Sequence, residues 1–166
     1  MSDETKEEKK ELTHLDSQGR LRMVDVTEKE TSAREARAEA TMHLARETLR
    51  RICDGEIPKG NVFEAARLAG ILAAKRTWEL IPLCHPIQLT GIEVDFENVW
   101  DENKIIIRSS VKTRDRTGVE MEALVAVANA GLTIYDMCKA IDRDMTLDGV
   151  RLTYKSGGRS GTYERA

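Results

Sequence analysis

From Ala123 to Tyr135 the chain carries no charged side chain, and this stretch constrains the fold more than any other. Thr117 and Glu120 before it have capping-box spacing. A helix is therefore predicted over about Val119 to Ile141. It is apolar on nearly every side and has to be buried all round. The chain has 166 residues, which suits one compact domain. A domain of that size struggles to enclose such a helix alone, which points to an oligomer. The stretch is well short of the roughly 20 apolar residues that a membrane span needs.

The other elements follow from caps, periodicity and breakers. Met1 to Glu11 read as a disordered, charged tail. Leu12–Leu15 and Leu21–Val26, separated at Gly19, suggest a loose hairpin or two short extended pieces. Ser32 and Glu35 have capping-box spacing, and Ala38, Met42, Ala45, Leu49 and Ile52 recur at steps of four and three. That pattern predicts a first helix from Ser32 until Gly55 and Pro58 end it. A second helix is predicted from the N-cap Asn61 to about Leu80, with Pro82 as its stop. Its many alanines and Gly70 imply close packing against a neighbour. Ile87 to Phe96 reads as a strand with a bulge at Gly91, where the alternation slips. A turn at Asp101–Asn103 and a strand over Ile105 to Val111 complete a hairpin. A last strand at Val150 to Tyr154 precedes a Gly- and Ser-rich tail. The expected class is α+β, with helices covering an antiparallel sheet.

Charge and cysteine content narrow the function. Twenty-six basic residues against 29 acidic ones leave a net charge of −3, which argues against a general nucleic-acid or membrane-surface binder. At 4% aromatic content, base-stacking platforms are also unsupported. Cys53, Cys84 and Cys138 are far apart and form no CxxC. Neither a disulfide framework nor a cysteine-based zinc site is expected. Free cysteines and the absence of a signal-peptide pattern lead to the expectation of a cytoplasmic protein.

Several residues stand where chemistry can use them. His85 lies in Pro82-Leu83-Cys84-His85-Pro86, held between two prolines in a stiff loop. It can contact phosphate or exchange a proton near neutral pH, or simply pack. Cys84 reads as an inert thiol more than as a nucleophile. Asp136 and Lys139 are i, i+3 neighbours after the apolar stretch, which suits an ion pair of tuned pKa or a plain surface pair. Lys59-Gly60 before the second helix has the form of an anion site, and equally of a flexible loop. Arg34 and Arg37 fall early in the first predicted helix, where cations are disfavoured. Lys75 falls late in the second, where they are favoured. Glu120 serves as the capping-box acid, a role that Glu122 lacks. Lys155-Ser156-Gly157-Gly158-Arg159-Ser160-Gly161 has the look of a phosphate cradle without a Walker pattern. The list as a whole suits a polyanionic small molecule, such as a nucleotide, undergoing proton transfers.

These segments resemble the molybdenum cofactor biosynthesis protein C family, the cyclic pyranopterin monophosphate synthases. The likeness covers about residues 12 to 161. It rests on Met23-Val24-Asp25-Val26, Arg34-Glu35-Ala36-Arg37-Ala38, Lys59-Gly60, Ala74-Lys75-Arg76-Thr77 and Leu80-Ile81-Pro82-Leu83-Cys84-His85-Pro86. It extends through Thr117-Gly118-Val119-Glu120-Met121-Glu122-Ala123-Leu124, Leu132 to Ala140 and Lys155-Ser156-Gly157-Gly158. Residues 1–11 and 162–166 are left as tails flanking the domain.

The resemblance implies a ferredoxin-like fold, assembled as a homo-hexamer, a trimer of dimers, with the pocket at the dimer interface. It implies conversion of (8S)-3',8-cyclo-7,8-dihydroguanosine 5'-triphosphate to cyclic pyranopterin monophosphate with release of pyrophosphate. A radical enzyme that cyclises GTP would supply the substrate, and no cofactor or protein-held metal is expected. Asp136 is implied as the active-site residue beside Lys139, with Lys59 as the second essential lysine. Leu83, Cys84, His85, Met121 and Glu122 correspond to substrate contacts. Asp25, Arg34 and Lys75 match further pocket positions, with Arg34, Lys75 and His85 suited to the triphosphate and Lys155 a weaker addition. Two other readings start from the same residues. One is a non-catalytic polyanion-binding module, and the other is a structural oligomer with solvated charged faces.

Overall fold

A computed structural model describes residues 15–166, except 17 and 160. The predicted tail over Met1–Glu11 lies outside the described residues. The elements are β1 (Ser32–His43), α1 (Arg46–Cys53), α2 (Val62–Lys75), α3 (Thr77–Leu80), β2 (Leu89–Val99), β3 (Lys104–Asp115), α4 (Glu120–Cys138), β4 (Thr146–Ser156) and β5 (Tyr163–Glu164). The sheet order is β2-β3-β1-β4-β5, and every pairing is antiparallel. With helices between β1 and β2 and between β3 and β4, this is the ferredoxin-like α+β arrangement.

The first predicted helix is a strand for most of its length. Ala36, Ala38, Ala40 and Met42 are each at most 1% exposed and alternate with Glu35, Arg37, Glu39 and Thr41. Ala38 and Met42 fit both a period of two and a step of four, so the spacing alone was ambiguous. Pairing with β3 on one side and β4 on the other overrides the helix preference of alanine. Helix α1 begins only at Arg46. Ser32 therefore caps nothing. Arg34 and Arg37, three apart in a strand, lie on opposite faces.

Most of the remaining elements follow their signals, although the second predicted helix, expected to run to about Leu80, breaks at Arg76 into α2 and α3. Asn61 Oδ1 accepts from the Glu64 backbone N–H at 3.1 Å and caps α2. The register of β2 against β3 shifts between Leu89 and Gly91, at the expected bulge. Asn103, with φ of 49°, ends the turn that closes the β2–β3 hairpin. Of the two readings for the segments around Gly19, an antiparallel bridge between Leu15 and Leu21 favours the loose hairpin, and residues 12–14 lie outside the described residues. The Thr117–Glu120 capping box is not formed. Val119 is the N-cap of α4 and makes no side-chain capping bond, while Glu120 instead meets Lys155 at 3.3 Å.

All the packed helices cover one face of the sheet. Helix α4 rests on β1, β3 and β4, and α2 rests on α4 and β2. Gly70 of α2 permits the closest approach. A Cβ there would stand 2.9 Å from the Ala126 carbonyl oxygen and 3.2 Å from Val94. Most of α4 is buried, yet Leu132 is 59% exposed, and Val125 and Ala128 on the same side are half-buried. The burial expected all round is thus incomplete in one chain. The opposite sheet face is polar. Arg108 bridges Glu97 and Glu39, and Arg151 meets Glu39 at 2.8 Å. Among the described residues no helix is long and apolar enough to cross a membrane.

Candidate active site

Helix α4 organises the candidate residues into two groups, one at each end. At its C-terminal end stand Asp136 and Lys139, one turn apart. Asp136 Oδ1 lies 2.7 Å from Lys139 Nζ, and Asp136 Oδ2 lies 3.0 Å from Lys59 Nζ. Lys59 Nζ also donates to the Asp136 carbonyl at 2.7 Å, which satisfies one of the orphan carbonyls of the helix end. Lys59 reaches this point because Gly60, at φ 104°, turns the chain just before α2. The two ammonium groups hold the Asp136 carboxyl below the ordinary carboxylate range. Asp136 in turn raises the pKa of Lys139. Lys139 is therefore a cation and proton donor at neutral pH in this arrangement.

At the N-terminal end of α4, Glu122 is 4% exposed. Burial, reinforced by the like charge of Glu120, pushes its carboxyl up to about 7. It lines a cavity of about 340 Å³ together with Val24, Leu83, Cys84, His85 and Met121. His85 Nε2 lies 2.8 Å from the Val24 carbonyl oxygen. A carbonyl only accepts, so Nε2 carries the proton, and Nδ1 of the neutral ring is left as an acceptor. Burial and the nearby Glu122 push the Cys84 thiol up, so it is not an activated nucleophile.

A second, larger cavity of about 750 Å³ lies alongside. Arg34, Arg116 and Arg159 line it, and Lys29, Thr117, Gly118 and Glu120 border both cavities. Lys155 stands at the same end through its pair with Glu120.

The expected residues are therefore only partly gathered. Leu83, Cys84, His85, Met121 and Glu122 share the first cavity, and Arg34 belongs to the second. Asp25 borders neither, and its carboxylate accepts from the Thr27 backbone N–H at 2.8 Å. Lys75, in the last turn of α2, also lines neither. Because α2 runs antiparallel to α4, Lys75 lies toward the Glu122 end. Lys59, Asp136 and Lys139 sit at the far end. Fourteen residues separate Glu122 from Asp136, which is about 21 Å of helix. Arg159 belongs to the Gly-rich segment that has the look of a phosphate cradle, whereas Lys29 and Arg116 were not singled out from the sequence. Arg116 had a usable signal, a cation followed by Thr117-Gly118 at the start of a long helix.

The profile of the MoaC family matches residues 23–158, a span that contains every site residue implied by the resemblance. A cyclic pyranopterin monophosphate synthase of Thermoanaerobacter pseudethanolicus is 55% identical over 154 residues, covering 93% of this chain and 98% of that protein. One from Pelotomaculum thermopropionicum is also 55% identical, over 93% of this chain and 91% of its own length. Another, from a Thermoanaerobacter species, is 54% identical with the same coverage as the first.

Proposed function

The chain belongs to the MoaC family, and from that membership we propose a cyclic pyranopterin monophosphate synthase of molybdenum cofactor biosynthesis. Its substrate is the cyclised dihydro-GTP triphosphate delivered by a radical GTP-cyclising enzyme. The five-membered purine ring opens and the pterin forms. A ribose hydroxyl then attacks the α-phosphorus, and pyrophosphate leaves. The working compartment is the cytoplasm.

The observation that carries this reading is the buried Glu122 carboxyl in the wall of a cavity, beside His85. A carboxyl near pH 7 can give or take a proton in the ring rearrangement, and the acceptor nitrogen of His85 can serve as its counterpart. Lys139 and Lys59 supply donors and positive charge, with Asp136 fixing both ammonium groups.

Lysine side chains cannot cross about 21 Å within one chain. We infer that the site is completed by a second copy. Glu122 and Asp136 are equidistant from Asn129. A two-fold axis passing near Asn129, with the α4 helices of two copies antiparallel, sets the Glu122 end of each against the Lys139 end of the other. The unpartnered stripe of Val125, Ala128 and Leu132, flanked on α2 by Leu68 and Leu72 (58% and 47% exposed), suits that contact. Three such dimers make the hexamer.

The test supplies purified protein with the cyclised nucleotide and follows pyrophosphate release and the fluorescence of the oxidised pterin. Wild type makes both products together, and Lys139→Ala loses at least about a hundredfold in rate while keeping its oligomeric state. A folded wild type that binds the nucleotide and leaves it unchanged would establish the binding module instead.

A further inference from the structure

Lys139 stands in the turn after α4, and almost nothing apolar holds that turn. From Lys139 to Asp144 every residue is exposed except Asp142, which is 9% exposed. Its carboxylate is turned inward, to the start of α1. Asp142 Oδ2 accepts from the Ala45 backbone N–H at 2.8 Å and from Thr48 Oγ1 at 3.0 Å. Ala45 is the N-cap of α1 and has no side-chain oxygen to offer. Asp142 thus gives α1, from across the fold, the bond that a capping-box acid gives from within a helix. The start of a helix is also the end at which a carboxylate is favoured. Among the described residues Asp142 forms no ion pair, so these two bonds and that dipole offset the burial of its charge.

Asp142 joins the two chain segments that carry the lysines of the Asp136 cluster. On one side lies the turn that bears Lys139. The N–H groups of Ile141 and Asp142 both donate to the Cys138 carbonyl, at 2.9 and 3.1 Å, so the turn is wound tightly from the helix end to Asp142. On the other side, α1 leads to Lys59. The N–H groups of Asp54, Gly55 and Glu56 donate back to the carbonyls of Arg50, Ile52 and Arg51, and Ile57 is buried. The position of Lys59 is therefore passed on from α1. Cys138, next to Lys139 in the chain, feels both sides. Burial, and then the charge of Asp142, pushes its thiol up to about 11, while Lys59 opposes the rise.

We propose that Asp142 is a positioning residue of the reaction, which ties the turn after α4 to the start of α1 and so sets Lys139 and Lys59 on either side of Asp136. Its effect on rate rests on the synthase reading, and its effect on the lysines rests on the geometry alone. Asp136 reaches Lys139 at 2.7 Å and Lys59 at 3.0 Å through its two carboxylate oxygens. Displacing the turn by about 1 Å takes one of these bonds out of range and turns an ammonium group away from the reacting atoms. Asp142 itself touches no substrate. It acts through the two segments that it clamps.

Acetylation with acetic anhydride, followed lysine by lysine from peptide masses, tests the placement without turnover. Asp136 keeps Lys139 protonated and slow to react. In Asp142→Ala, Lys139 is acetylated about threefold or more faster, relative to the exposed Lys112 of β3. With the cyclised nucleotide, the same variant loses about tenfold in kcat while KM moves by less than about twofold. Asp142→Asn, whose amide oxygen accepts the same two bonds, restores both readouts. Ile107→Val, a destabilising change in the core of β3, moves neither. Should Asp142→Ala fail to fold, Thr48→Val, which removes one of the two bonds at nearly constant volume, shifts both readouts in the same direction. An unchanged Lys139 rate or an unchanged kcat in the folded variant overturns the proposal, and so does an equal loss in Ile107→Val. Faster acetylation of Lys139 in Asp142→Ala, from a protein that leaves the cyclised nucleotide unchanged, would overturn the synthase reading and not the placement.

Discussion

Glu122 owes its proton to its place on α4. Two residues after Glu120, it turns away from Lys155 into a cavity wall and loses its hydration. The native state thus holds a proton that an ordinary carboxyl at 4.5 would release well below neutrality. The sign follows from linkage. The folded pKa is the higher one, so the stabilising effect of protonation is complete below about pH 4.5 and is lost as pH rises through about 7. Glu122→Gln removes that dependence. Urea unfolding at pH 5 and pH 8 should find wild type losing up to about 3 kcal/mol relative to Glu122→Gln across the interval. An unchanged difference at the two pH values would show that Glu122 is not buried as described. The sequence pointed to Glu122 as the acid without a capping role, and the family likeness placed it against substrate. Its burial was not legible, because that depends on the loop of Cys84 and His85 folding over the start of α4. Arg116 was legible in principle by the same reasoning that marked Lys59-Gly60.

At the scale of elements, local signals succeeded where a side chain or a glycine fixes the backbone, and failed where pairing decides. Asn61, Gly91 and Asn103 each act on their own segment, and their cap, bulge and turn appear where expected. The segment from Ser32 to His43 has alanines that suit either periodicity. The period-two alternation from Glu35 to Met42 was there to be read beside the step of four, and its position between β3 and β4 decides between them. The Thr117 capping box failed for a related reason. Glu120 finds Lys155 from β4, a partner 35 residues away. The small residues of α2, in contrast, were a sound guide to close packing. Gly70→Ala should lower stability by about 1–3 kcal/mol, read from urea unfolding, because the new methyl meets the Ala126 carbonyl and backbone has to shift. Ala69→Ser, one position around the helix, is the control. Equal effects from both would mean that α2 and α4 do not meet at Gly70.

For the whole molecule, the long apolar helix carries two consequences. It fills the core of one ferredoxin-like unit, and its two ends hold the two groups of candidate residues. The sequence hinted at the first through an uncharged stretch too long for a small domain to cover. It could not convey the second, since the separation between Glu122 and Lys139 becomes a physical distance only once the helix is straight and α2 is laid beside it. The proposed interface between copies would bring the two groups together. Mixing two inactive variants is the most direct test. Glu122→Gln and Lys139→Ala oligomers are dissociated together, reassembled, and assayed with the cyclised nucleotide. Random pairing puts one wild-type site in each mixed dimer, so activity should return to about a quarter of the wild-type value. A reassembled mixture as inactive as its two parents would contradict a site built from both ends of α4 across the dimer.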